Sequence, residues 1–232
     1  MSIEQGRRSL MMANFTRSLE TNAIEPIRQA LQSLDVTEFL EWMLGDADRQ
    51  LPTSMSTESY VHANGFYKVS LPLTFNSPIR AHLHVWPDGA CADQAPDAHN
   101  HKYPFVSRIL AGGLTHNIMQ IRRGAGDYRH FKYVRQGDGH RYASLGCAAL
   151  DLTRVVATST GVTYSMDSRT VHMVQPEKFA YAATIVVELA PARNHTDVFV
   201  EDDVKPEGVT VVPAQLQPGQ IVAALQGILA RT

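Results

Sequence analysis

His99-Asn100-His101 and the distant His172 are the residues of this 232-residue chain best suited to chemistry. In extended backbone, positions i and i+2 project to one face. His99 and His101 can therefore offer two imidazoles to a single ion, and a third must come from elsewhere. His172 is the strongest candidate. It follows Gly161-Val162-Thr163-Tyr164 and a polar stretch, Ser165 to Thr170, that reads as a hairpin between two strands. Neutral imidazole binds Zn, Cu, Fe and Ni, so the ligand type alone does not name the metal. Three imidazoles on one side of an ion leave positions open to water or substrate, as in a catalytic rather than a closed structural site.

Ten histidines can generate such a pair by chance, and a second one is present in His82-Leu83-His84. Here Arg80, His82, His84 and Trp86 share one face of a strand, and Ala81, Leu83 and Val85 the other. If the apolar face packs against a second sheet, these histidines meet solvent; if the interior is polar, they line a pocket. Either role is favoured over ligation. His116, just past Gly112-Gly113, is a substitute ligand or a hydrogen-bonded pocket residue. His62, His130, His140 and His195 have no motif context and read as surface or structural residues.

The His99/His101 pair is followed by an apolar strand, Phe105 to Ala111, that closes on Gly112-Gly113, and a second glycine, short strand and lone histidine follow at Gly161 to His172. In these features the chain resembles the cupin superfamily. The glutamate usual in the first cupin motif is missing, since Lys102 to Ser107 contains no acid. That departure favours a set of three neutral imidazoles, which is similar to the thiol dioxygenases, the cysteine dioxygenase type in particular. The resemblance covers roughly residues 65 to 191. It implies a mainly β fold, the cupin double-stranded β-helix or jelly roll, with His99, His101 and His172 as metal ligands. Fe(II) is the first choice of ion, with Zn, Ni, Mn or Cu as alternatives. The implied activity is a mononuclear oxygenase, dioxygenase-like, acting on a small polar or anionic substrate with dioxygen.

By the same resemblance, the family's substrate-carboxylate arginine falls near Lys68, with Arg80 on the next strand as an alternative, and His82 or His84 act around the metal. Lysine lacks the planar bidentate fork of arginine. The family's cysteine–tyrosine cross-link has no counterpart, because Pro104-Phe105-Val106 and Ile185 to Leu189 contain neither residue. Glu188 lies in an otherwise apolar strand and faces either the pocket or the barrel end. Tyr103, Tyr164, Met166 and Arg169 flank the two motifs as candidate lining. One fold hosts many functions. Two rival readings therefore stand: a non-oxidative metal-dependent isomerase or hydrolase, and a non-catalytic small-molecule-binding cupin.

The elements that must position these residues fall into three stretches. Residues 1–59 carry apolar positions at helical spacing, among them Leu19, Ile27, Leu31, Phe39 and Met43. They read as a helical extension of two or three segments, with Pro26 near a start and Gly45 after an end. It packs outside the barrel or at a contact between two copies. A polar connector is expected from Gln50 to Ser59. Residues 60–195 show short strands and turn residues without intervening helices, the pattern of a sandwich or barrel. The expected strands include Arg80 to Trp86, Phe105 to Leu110, Leu114 to Arg122, Leu145 to Val156 and Ala182 to Leu189. Residues 196–232 read as a tail packing on the barrel, with outer strands at Val198 to Asp203 and Val209 to Val212 and a helix from Pro218 to Leu229.

The composition is 44% hydrophobic, enough for one well-filled domain with appendages. With a formal charge of -2 and no basic patch, neither nucleic acid nor membrane is an expected partner, and small-molecule chemistry is the default. Cys91 and Cys147 cannot build a disulfide framework, which fits a reduced cytoplasmic interior. Asn14, Arg17 and Glu20 interrupt the apolar run near the N-terminus, so the chain is read as soluble and unprocessed.

Overall fold

The computed structural model describes residues 12–232 apart from 48–50, 74, 77, 90–95, 123–125, 138, 178–179, 202–207 and 209. Helix α1 covers residues 12–19, followed by α2 (Ile24–Ser33), α3 (Val36–Ala47) and α4 (Thr53–Glu58). The strands are β1 (Tyr60–Val61), β2 (Tyr67–Ser70), β3 (Arg80–Trp86), β4 (Ala98–His99), β5 (Phe105–Ala111), β6 (Gly113–Arg122) and β7 (Tyr128–Gln136). After them come β8 (Gly139–Ser159), β9 (Thr163–Met166), β10 (Val171–Pro176), β11 (Ala182–Glu188), β12 (Thr196–Val200), β13 (Thr210–Val211) and helix α5 (Pro218–Leu229).

Two antiparallel sheets result. The first runs β1-β2-β3-β11-β5-β9 and the second β13-β8-β6-β10-β4-β12-β7. This mainly β architecture with N-terminal helices and a short C-terminal helix is the one expected. Strand β8 is long enough to serve two partners along one edge, with residues up to Ala148 pairing with β7 and those from Ala149 onward with β6, while β13 pairs along its other edge. Gly146, at φ 93°, sits where the register shifts, in a conformation that L side chains rarely adopt. Because β7 also pairs with β12, the second sheet closes on itself through β8.

Alternation within the first sheet decides what the two sheets enclose. Ala81, Leu83 and Val85 of β3, Val106 and Leu110 of β5, and Ile185 and Val187 of β11 share one buried face. That face packs against Leu19, Ile27, Leu31, Phe39, Leu40 and Met43 from the N-terminal helices and Ile221, Leu225 and Ile228 from α5. At about 1.5–3 kcal/mol for each large apolar side chain removed from water, this layer is the main hydrophobic core. It lies outside the barrel, between sheet and helices. The opposite, polar face of β3, with His82 and His84, is thereby turned toward the second sheet.

Several local expectations are corrected. Gly45 lies within α3, which continues to Ala47, rather than after its end. The connector at Gln50 to Ser59 contains α4, seated by the buried side chain of Met55. Ser165 to Thr170 is not a hairpin: it carries the chain from β9 in the first sheet to β10 in the second. The turn is held by Arg169 N–H on Asp167 Oδ1 (2.7 Å) and Thr170 N–H on the Asp167 carbonyl (3.2 Å). Strand β12, expected as an outer strand, is interior to the second sheet between β4 and β7. Among the described residues no helix is long and apolar enough to cross a membrane.

Candidate metal centre

Strand β4 is only two residues long, and its His99 lies directly opposite His172 on β10. His101, two positions further, returns to the same face. The ring centroids are 4.9 Å apart for His99 and His101, 4.9 Å for His99 and His172, and 5.1 Å for His101 and His172. One nitrogen from each ring lies within 4.8 Å of the other two.

The geometry fits an ion. His101 Nε2 and His172 Nε2 are 2.9 Å apart. Two imidazoles bound at about 2.1 Å and roughly a right angle to one another would place their nitrogens about 3 Å apart. His99 Nδ1–H donates to the Asp97 carbonyl (2.9 Å), which fixes the tautomer and leaves Nε2 as the lone-pair nitrogen. Burial pushes His101 and His172 well below 6.5, and neighbouring imidazoles add to the shift. Burial also lowers His99, against the opposing pull of Asp97. Three neutral nitrogen donors therefore converge at neutral pH.

His116 is not part of this triad but backs it. Its ring lies parallel to that of His172, 5° between planes, and its Nδ1 is 3.4 Å from His172 Nδ1. A lone pair kept on His172 Nε2 would leave the proton on Nδ1, where it could be donated to His116, which is itself buried on β6. Tyr164 packs against the far side of His116, ring centroids 4.8 Å apart.

The wall facing the triad carries the second histidine pair. His82 and His84 face inward beside Lys68 of β2 and Glu188 of β11. Lys68 Nζ donates to Glu188 Oε1 at 2.8 Å, with the two side chains only 16% and 13% exposed, and Glu188 Oε2 is 3.5 Å from His82 Nε2. Burial would raise the Glu188 carboxyl, but Lys68 and then His82 outweigh it and hold it well below the usual carboxylate range. Burial likewise disfavours the Lys68 ammonium, and Glu188 more than restores it. Both stay charged and cancel one another. Lys68, expected to hold a substrate anion, thus already has a carboxylate partner, and Glu188 faces the interior. Arg80 is exposed at the start of β3. His82 Nδ1, His84 Nε2 and His116 Nε2 are buried and have no hydrogen-bond partner among the described residues. A dry unpaired group of this kind costs about 1–3 kcal/mol, so these atoms suit a polar interior that receives water or ligand atoms.

The remaining expected lining residues scatter. Met166 is buried in an apolar cluster with Phe105 and Val186, Tyr103 is half-buried beneath Lys102, and Arg169 is exposed at the turn. Cys147 is exposed on β8, and Cys91 lies outside the described residues. Sequence reasoning passed over Asn100 and Asp197, which meet behind the triad. The one sign of them was an amide set between two histidines. His130 and His195, read as structural, both gather on Asp197.

Among solved structures, the fold is similar to an RmlC-like cupin from Shewanella frigidimarina NCIMB 400, at 16% identity over 62% of this chain and 92% of that one, with a TM-score of 0.36. It is also similar to the DMSP lyase DddQ from Ruegeria pomeroyi DSS-3, at 12% identity over 61% and 56% of the two chains, with a TM-score of 0.36. A third is Fe(II) HppE, at 13% identity over 61% and 62%, with a TM-score of 0.34. The likeness is one of strand framework alone. No protein-family profile and no curated protein matches the chain.

Proposed function

We propose that the chain is a mononuclear metal-dependent oxygenase acting on a small anionic substrate, with Fe(II) held by His99, His101 and His172. The observation that carries this reading is the charge around the triad. Three neutral imidazoles bring no negative charge to an ion, and the carboxylate of Glu188 is already matched by Lys68. A dication held in this way is best balanced by an anionic chelator such as a small carboxylate, thiolate or enolate. Bound iron supplies Lewis acidity and one-electron chemistry with dioxygen. The donor set also accepts Zn, Ni, Mn and Cu.

The chain's own part is to orient and to bind. Asp97 and His116 fix the rings of His99 and His172 through their second nitrogens. His82 and His84 offer inward ring nitrogens to substrate atoms, and Lys68 has N–H groups beyond the one on Glu188. Arg80, at the outer end of β3, supplies a guanidinium at the rim.

Metal analysis of the purified protein, followed by oxygen-uptake assays of Fe(II)-loaded protein against small acids and thiols, tests the reading. Oxygen consumption that requires both iron and substrate is the expected result. Full turnover under strict anaerobiosis, or with Zn in place of iron, would transfer the site to isomerase or hydrolase chemistry. Ligand binding without any product would make it a binding protein.

A further inference from the structure

We infer that Asp197 is a positioning residue for the metal centre, acting through Asn100 to hold the spacing of His99 and His101. This rests on the metal reading of the triad.

In the extended segment His99-Asn100-His101, the two histidines face the interior and the residue between them faces outward. Asn100 is nonetheless only 2% exposed, because it is covered by Asp197 of β12. Three hydrogen bonds join the two residues. Asn100 Nδ2–H donates to Asp197 Oδ2 at 2.7 Å, Asp197 N–H donates to Asn100 Oδ1 at 2.8 Å, and Asn100 N–H donates to the Asp197 carbonyl at 3.1 Å. The strand ladder between β4 and β12 pairs Ala98 and His99 with Phe199 and Val198, and the clamp continues it by one residue toward His101.

Asp197 cannot swing away from this contact. It is 6% exposed, and its carboxylate also accepts from Arg193 Nη2 at 2.7 Å and His130 Nε2 at 3.0 Å, with His195 Nε2 at 3.4 Å. Arg193 is itself tied to the triad segment, since its backbone N–H donates to the Lys102 carbonyl at 3.1 Å. A carboxylate with this many donors is a rigid post on the outer face of the sheet. Asn100 transmits that rigidity to the backbone of the two flanking histidines. Partners that orient metal ligands from outside typically change metal affinity by about 10–100-fold when removed.

The test is Co(II) binding to the full-length protein, read both as a dissociation constant and as the visible absorption bands that report coordination geometry. Asp197→Ala is expected to weaken Co(II) binding roughly ten- to a hundredfold and to alter those bands. Asn100→Ala should do the same. The exchange variant Asn100→Asp/Asp197→Asn keeps an amide facing a carboxylate but takes the carboxylate away from Arg193 and His130, and should recover part of the affinity and shift the spectrum back toward the wild-type one. If Asp197→Ala fails to fold, Asn100→Ala and the exchange variant decide by the same readouts. Unchanged affinity and spectrum in folded single variants, even with a lowered melting temperature, would overturn the positioning role. Failure of the wild-type protein to bind Co(II) would instead overturn the metal reading beneath it.

Discussion

His101 and His172 meet Nε2 to Nε2 across 2.9 Å although 71 residues separate them in the chain. Neither carries charge at neutral pH, since burial disfavours both imidazolium forms. The same distance suits an N–H···N hydrogen bond between two neutral rings and two nitrogens bound side by side to one ion. Single replacement of His99, His101 or His172 by Ala is therefore expected to abolish most metal binding while the far-ultraviolet spectrum stays β-rich. The fold survives because its main core lies on the other side of the first sheet. His82→Ala should lower metal content far less. Equal loss in the His82 and His84 variants, with the His99 and His101 variants unaffected, would mean that the wrong pair holds the ion.

His116 orients His172 from behind, so His116→Phe should weaken metal binding by about 10–100-fold. His116→Gln, which keeps an acceptor in the pocket, is expected to recover part of it. Calorimetric titration with Zn distinguishes the two. Identical affinities for wild type and the Phe variant would show that the 3.4 Å contact carries no orienting force.

The Lys68–Glu188 pair gives a stability prediction. Glu188→Gln leaves an ammonium buried without its counter-charge, and the expected loss is roughly 3–5 kcal/mol in urea unfolding. Replacing both residues, as in Lys68→Met/Glu188→Leu, should restore much of it, because the double change also removes the desolvation of both charges. A double variant as unstable as the single one would point instead to the contact with His82 as the stabilising element.

The interior histidines also set a pH dependence. Burial lowers His116 from 6.5 to about 4, and it lowers His82 and His84 as well. A group depressed in the folded state binds fewer protons there than in the unfolded chain between those two values. Unfolding thus takes up protons in that window, and stability falls as the pH falls. The metal-free protein should have its full stability above about pH 6.5 and lose it progressively toward pH 4. Melting temperatures across this range provide the measurement. A flat profile would mean that solvent reaches these rings freely.

Much of the frame was legible because local pattern and tertiary role agree. Arg80 to Trp86 and Pro218 to Leu229 show their periods openly, and the structure places β3 and α5 on those same residues. Helix α4 was hidden by its polar composition, Thr53-Ser54-Met55-Ser56-Thr57-Glu58, in which Met55 alone is buried. Within β3 the two faces were evident, but which one turns inward depends on where the helices pack, and no strand encodes that by itself. The convergence of His99, His101 and His172 was approachable because two of them share a motif. The Asn100–Asp197 contact was not, because it joins residues 97 positions apart that carry no common pattern. The placement of β12 in mid-sheet was missed for the same reason.

The short strand β4 is flanked by β10 on one side and β12 on the other, both made much later than β4 itself. During synthesis, the His99–His101 segment therefore leaves the ribosome with neither neighbour in existence. It acquires its third imidazole only with β10 and its outer clamp only with β12. Long-range pairings of this kind form slowly. A nascent chain halted before Thr196 would already hold all three imidazoles but not the carboxylate that braces them. Of the three strands β12 is made last, so the outer support of the His99–His101 segment is the last part of this arrangement to form.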